Sequence, residues 1–228
     1  MITPNRTPWQ PDEWQKVLRN AFRQPDALLG YLGIPANAFN LDSEPDFALL
    51  VPEPFAARMK PGDPADPLLR QVLPSLQERE RVPGFVKDPL GEDDSALSFQ
   101  RGPALIQKCQ GRVLRSTTPA CAVTCRYCFR RHFPYQDHKP SAHDQALDLI
   151  RSDTSISEVI LSGGDPLLLG DLAFATLIKQ INAIEHVERI RVHSRLPIVL
   201  PQRVTPSLVE TIQTSRCPVV MVVHCNHT

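Results

Sequence analysis

The chain has 228 residues, 25 basic and 25 acidic side chains, and 42% apolar against 6% aromatic residues, the composition of a globular protein with room for one large or two ordinary domains. Zero formal net charge argues against a whole-chain electrostatic grip on nucleic acid or on an anionic membrane. No apolar run approaches the ~20 residues of a membrane span, and the opening MITPNRTPWQPDEW lacks an apolar stretch of signal-peptide length, so a cytoplasmic location is expected and the cysteines read as metal-binding or catalytic rather than disulfide-bonded.

Fourteen of the 23 prolines lie within residues 1–100, where they leave little room for long elements. A proline-rich, mainly helical extension is therefore expected over 1–103. Pro11 and the acids after it suit a helix start, and Trp14, Val17, Leu18 and Ala21 form an apolar stripe, which predicts a helix over Asp12–Phe22. A shorter helix is expected at Asp26–Leu32. The run PGDPADP breaks Phe55–Leu73 into two pieces of a wrapping arm.

From about residue 104 the elements alternate. Strands are predicted at Ala104–Lys108, Arg112–Thr118, Ser157–Leu161, Arg189–His193 and Pro218–His224. Helices are predicted at Ala142–Ile150, Leu172–Ile184 with Asp171 as N-cap, and Pro206–Thr214. Nearly continuous, β-branched apolar strands alternating with helices predict an α/β fold with a helix-covered parallel sheet over 104–228. Such folds collect their chemistry at the C-terminal ends of the strands. Four strand ends here run into PACAVTCRYCFRR, SGGDP, HSRLP and HCNH.

Cys121, Cys125 and Cys128 form C-x3-C-x2-C directly after a strand. Three thiolates on one loop suit an iron–sulfur cluster or zinc, with pKa values lowered by the metal and by Arg126, Arg130 and Arg131. A cubane with three cysteine ligands keeps one iron open, as a reactive cluster needs. The alternative is a closed zinc site of these cysteines and His132 in a non-enzymatic interaction module. Cys109, Cys217 and Cys225 read as small buried hydrophobes. Local charge adds to the picture, because no Asp or Glu occurs between Asp94 and Asp137, whereas Arg101, Lys108, Arg112, Arg115, Arg126, Arg130 and Arg131 do. The expected use of that excess is a pocket for anionic groups, since a nucleic-acid face would interleave exposed aromatics.

The cysteine spacing, with Tyr127 before the third cysteine, resembles the radical S-adenosylmethionine signature. The string CAVTCRYCFRRHFPY, followed by SGGDPLL, HSRLPIVLPQR and HCNH, resembles the lysine 2,3-aminomutase family. Within that family, FRRHFPY and PADPLLRQVLP (Pro64–Pro74) are most similar to the members that make β-lysine for modification of elongation factor P. The resemblance implies an isomerase that shifts the amino group of (S)-α-lysine to give (R)-β-lysine. Its cofactors would be a [4Fe-4S] cluster, S-adenosylmethionine and pyridoxal phosphate, and its partners lysine, free or protein-attached, and an electron donor. Glutamate or arginine is the alternative substrate.

By the same resemblance, Cys121, Cys125 and Cys128 bind the cluster, Tyr127 lies near the adenine, and the backbone at Gly163, Gly164 and Asp165 receives the methionyl amino group. Ser194, Arg195 and His224 line the S-adenosylmethionine side, Arg130 takes the substrate carboxylate, and Lys108 and Arg112 surround the pyridoxal phosphate group, with Cys109 where the family has a tyrosine. The family's barrel has six strands and carries a pyridoxal lysine. Only four parallel strands are countable here, and Lys139 and Lys179, the lysines after residue 108, stand in no matching motif. The expectation is a partial TIM-type (β/α) barrel, truncated after about four βα units. Such an N-terminal part would assemble a cluster but form no stable lysine imine with pyridoxal phosphate.

Overall fold

The computed structural model describes residues 14–92, 99–102, 104–133 and 140–227. The first half is a chain of short elements, as its prolines dictate. α1 spans Trp14–Arg19. It ends earlier than its apolar stripe suggests because Phe22 leaves to exchange backbone hydrogen bonds with Val51, at 2.8 and 3.0 Å; the predicted start at Pro11 and Asp12 lies outside the described residues. α2 (Pro25–Leu32) has proline in its first turn and stops at Gly33, whose φ of +65° only glycine adopts freely. The two pieces expected between Phe55 and Leu73 are α3 (Glu53–Ala56) and α4 (Pro67–Arg70). Asp66 caps α4, accepting from the N–H groups of Leu68 and Leu69 at 2.9 and 2.8 Å. A 3₁₀ turn at Leu76–Arg79 opens on a capping box between Ser75 and Glu78.

The second half builds one six-stranded sheet in sequential order. β1 (Gln100–Gly102), β2 (Leu105–Cys109) and β3 (Arg112–Thr118) pair antiparallel. β3, β4 (Glu158–Gly163), β5 (Arg189–Ser194) and β6 (Val219–Val223) pair parallel. Helices α5 (Pro140–Ser152), α6 (Asp171–Asn182) and α8 (Pro206–Gln213) connect successive parallel strands, and the short α7 (Leu196–Val199) follows β5 directly. This is a partial (β/α) barrel of the expected class. The three-residue β1 was not predicted, since so short a run carries no periodicity, and Ala104, expected to start a strand, instead turns at φ +59°.

Alternation along the strands decides which side is core. Val113, Val159, Leu161, Ile190 and Val192 are fully buried in one cluster with Leu147 and Ile150 of α5, Phe174 and Ile181 of α6, and Leu208 of α8, each large side chain contributing about 1.5–3 kcal/mol. The same core continues through Leu28, Phe55 and Leu69 of the first half. Two local expectations are corrected. Gly170, not Asp171, is the N-cap of α6; Asp171 is drawn away by charge-assisted bonds from Arg203 Nη1 at 2.6 Å and Thr205 Oγ1 at 2.8 Å. Of the three cysteines read as buried, only Cys217 is, while Cys109 at a hairpin turn and Cys225 beyond β6 are exposed.

Among the described residues, no helix is long and apolar enough to cross a membrane.

Candidate active site

The loop after β3 carries the three cysteines, and it is held from two sides. From the sheet, the N–H groups of Gly164 and Asp165 donate to Thr118 O and Ala120 O at 2.6 and 2.8 Å, so the end of β4 is bonded to the base of the loop. This approach explains the glycines: Gly163 has φ +113°, and a Cβ on Gly164 would lie 2.1 Å from Ala120 O. From the first half, Thr124 N donates to Leu50 O at 3.1 Å, Thr124 Oγ1 accepts from Leu50 N at 2.9 Å, and Arg126 N donates to Gln71 O at 2.8 Å. Glu78, which already accepts from the N–H of Ser75 in the capping box, also holds the guanidinium groups of Arg126 and Arg131. The wrapping arm is thus the brace of the cysteine loop.

Asp165 is the keystone between β4 and β5. It is buried and accepts from Ser194 Oγ at 2.7 Å and from the N–H groups of Arg195, Leu196 and Leu167 at 2.9, 3.1 and 3.0 Å. Burial pushes its carboxyl up from the ordinary range, and these donors act against that shift. Its carboxylate, like the Ser194 hydroxyl, is occupied within the protein. Arg195 has no carboxylate partner for its guanidinium at hydrogen-bond range among the described residues. It donates from Nη1 to Cys125 Sγ at 2.6 Å and from Nη2 to Gln71 Oε1, with its guanidinium over the rings of Phe55 and Tyr127 at 5.4 and 5.5 Å.

One cavity is lined by Cys121, Cys125, Cys128, Tyr127, Arg130, Gly163, Gly164, Asp165, Arg195 and His224, together with Ser162, His193 and Asn226. The strand ends therefore bring together most of the residues singled out by motif. Lys108 and Arg112 are not among the lining residues. Arg112 opens β3, at the far end of the strand from the cysteines, and its Nε lies 2.8 Å from Glu158 Oε1. Lys108 donates to Leu90 O at 2.8 Å and lies 3.5 Å from Glu92.

The acid-free run does not leave a bare cationic pocket. Arg101 pairs with Asp153, Lys108 and Arg130 with Glu92, Arg112 with Glu158, and Arg126 and Arg131 with Glu78. Folding supplies carboxylates from outside the run because a buried cation without a counter-charge is too costly. Arg115 alone of the seven has no such pair among the described residues; it lines a separate cleft beside the start of α6, and burial lowers its pKa to about 10 against the pull of Asp144. Arg195, which lies outside the run, hydrogen-bonds a cysteine sulfur.

Burial pushes the Cys121 and Cys128 thiols up. Arg195 beside Cys121, and Arg130 and Arg131 beside Cys128, act the other way; Arg126, expected to help, is tied to Glu78. Among the described residues, no group of three or more His, Cys, Asp and Glu side chains is placed to hold a single metal ion, and His132, the fourth ligand of the alternative zinc site, is exposed. A cubane spreads its thiolates over the corners of a larger cluster, and three thiols on one loop are a fitting donor set for it. The buried Nε of Arg195 and Nε2 of His193, both cavity-lining, have no hydrogen-bond partner among the described residues, as suits a site made for a polar ligand.

Gln71, Glu78, Glu92, Ser162 and His193 were not identified from sequence. Glu78 had one local signal, the Ser75-x-x-Glu78 capping pattern, and Ser162 and His193 open the strand-end motifs SGGDP and HSRLP; Gln71 and Glu92 act through partners dozens of residues away.

Comparison with known proteins agrees with this geometry. Residues 116–222 match the Radical SAM superfamily. The chain is 42% identical over 230 residues to the L-lysine 2,3-aminomutase of Escherichia coli (strain K12), covering 99% of this chain and 64% of that protein. It is 40% identical over 221 residues to that of Buchnera aphidicola subsp. Baizongia pistaciae, covering 95% and 64%, and 38% identical over 177 residues to that of Clostridium subterminale, covering 76% and 41%. The chain thus spans less than two thirds of the length of these relatives. The cysteine loop, the glycine turn it rests on, the sheet that carries both and these likenesses agree that the chain belongs to the lysine 2,3-aminomutase family of the radical S-adenosylmethionine superfamily.

Proposed function

We propose that this chain carries the cluster and S-adenosylmethionine half of an isomerase that converts (S)-α-lysine to (R)-β-lysine. The observation that carries the reading is the single cavity at the ends of the parallel strands, where the three cysteines, the glycine turn, Arg195 and Arg130 meet. When bound, the cluster and S-adenosylmethionine supply the radical that opens the reaction, and pyridoxal phosphate supplies the carrier of the migrating amino group.

The chain's own residues hold and orient. Cys121, Cys125 and Cys128 bind the cluster, and Arg195 sets a positive charge against Cys125. The Gly163–Gly164 turn offers carbonyl oxygens to the methionyl amino group, its N–H of Gly164 being occupied by Thr118. Asp165 keeps the ends of β4 and β5 in register, and Arg130 orients the substrate carboxylate. Ala122, Val123, Leu196 and Val199 line the wall and exclude water. Lys108 and Arg112 serve the cofactor phosphate, although neither lines this cavity and they lie beside Glu92 and Glu158.

The same reading takes residues 1–103 as a brace for the cysteine loop and 104–228 as the barrel part. It places the protein in the cytoplasm, with a reducing partner as electron donor. The product is destined for elongation factor P: PADPLLRQVLP, which carries that likeness, contains Gln71, the residue that contacts both Arg126 and Arg195.

The test is anaerobic reconstitution with iron and sulfide. A brown protein that cleaves S-adenosylmethionine to 5′-deoxyadenosine under a strong reductant is expected. A colourless protein holding stoichiometric zinc overturns the reading.

A further inference from the structure

One buried carboxylate stands behind the cavity-lining Arg130 and has been given no role so far. Glu92 is 4% exposed and grips Arg130 side-on, accepting from Nε at 2.8 Å and from Nη2 at 2.9 Å. Its Oε1 also lies 3.5 Å from Lys108 Nζ. Its backbone is fixed as well, Gln100 Nε2 donating to the Glu92 carbonyl at 3.1 Å.

A guanidinium offers two forks, the side edge Nε–Nη2 and the end edge Nη1–Nη2. Glu92 takes the side edge. The end edge is turned toward Ser162, whose Oγ accepts from Nη1 at 3.1 Å, and both residues line the cavity. An arginine already clamped loses less side-chain freedom when it receives a carboxylate than one that must first be ordered. Charge points the same way. One carboxylate shared by Arg130 and Lys108 does not neutralise both, and the remaining positive charge favours anionic groups at this end of the site.

We propose that Glu92 is a positioning residue, which clamps Arg130 side-on so that its end edge receives the substrate α-carboxylate, and which ties that subsite to Lys108. The proposal rests on the reading of Arg130 as the partner of the substrate carboxylate. It adds a specificity element, because a substrate without a carboxylate gains nothing from the clamp.

The reconstituted full chain is titrated by NMR with lysine and with lysinamide, which lacks the carboxylate, and the ratio of the two affinities is read. Glu92→Gln removes the charge and turns an NH2 toward Arg130. It is expected to cut the ratio about tenfold by weakening lysine alone, and Glu92→Asp to restore part of it. An unchanged ratio in Glu92→Gln overturns the proposal. So does a raised one, the result if Glu92 were merely an occupant that substrate displaces. If Glu92→Gln does not fold, Glu92→Asp decides alone, a full wild-type ratio overturning the proposal. Arg130→Lys separates the underlying reading: a ratio untouched there removes Arg130 as the carboxylate's partner, whatever Glu92 does.

Discussion

Arg195, at the end of β5, donates to the sulfur of Cys125 at 2.6 Å across 70 residues of chain. The contact joins two strand ends that the sequence offers as separate motifs, and it puts a buried, always-charged group against one of the three cysteines proposed to hold the cluster. Groups that touch a metal ligand set its orientation and basicity. Arg195→Leu is therefore expected to cost about 10–100-fold in affinity for the cluster, read as iron retained against a chelator after anaerobic reconstitution. Retention equal to wild type would show that the contact has no bearing on the cluster.

The close approach of β4 to the cysteine loop makes Gly164 irreplaceable. In Gly164→Ala the new Cβ meets backbone atoms, the O and C of Ala120, at 2.1 and 2.6 Å, and neither can yield without moving the loop. A loss of about 3 kcal/mol is expected in urea denaturation. Gly30 is the control: it sits within α2 with nothing within 4 Å of a Cβ and without a positive φ. Gly30→Ala is expected to stabilise by about 0.5–1 kcal/mol.

Arg203 is fully buried, yet it is a hub. It donates to Asp171 at 2.6 Å, to Leu169 O at 2.8 Å and to Leu167 O, and its guanidinium lies 5.0 Å from the Trp14 ring centroid. Arg203→Leu removes this donor from two carbonyls and the counter-ion from Asp171, which keeps Thr205, for an expected loss of about 3 kcal/mol in equilibrium unfolding. A loss below that of a typical surface substitution would refute the hub.

His193, on the inner face of the sheet, has its pKa lowered to about 4, first by burial and then by Arg191, His224 and Arg130. A histidine whose folded pKa lies below its unfolded value near 6.5 is favoured neutral by the fold. Its contribution to stability is present above about pH 6.5 and is lost as pH falls through 6.5 toward 4. Titration of the imidazole by NMR is expected to show a midpoint near 4. A midpoint at the unperturbed value would mean that the ring is solvated and the inner face open around it.

The elements most legible in sequence were those with local signals. β3 came out with its predicted bounds, and β4, β5, β6 and α8 within two residues at either end, because β-branched runs and proline starts state their own limits. α1 fell short of its pattern because Phe22 found a backbone partner at Val51, a competition that periodicity cannot register. The acid-free run between Asp94 and Asp137 misled for a similar reason. Counted along the chain it is a block of positive charge; in space Glu78 reaches Arg126 across 48 residues and Glu92 reaches Arg130 across 38.

What the sequence determined by itself is the donor set and its platform: three cysteines on one loop, a glycine turn after the next strand, and an alternation that aligns strand ends. Each is a matter of spacing within a few residues, and short-range geometry follows from spacing directly. The tertiary structure alone decided which charge faces which. Burial makes every unpaired ion expensive, so partners are chosen wherever the packed chain brings them. That is how Glu78 came to hold the cysteine loop, Arg195 to reach Cys125, and Glu92 to hold Arg130 at the mouth of the site.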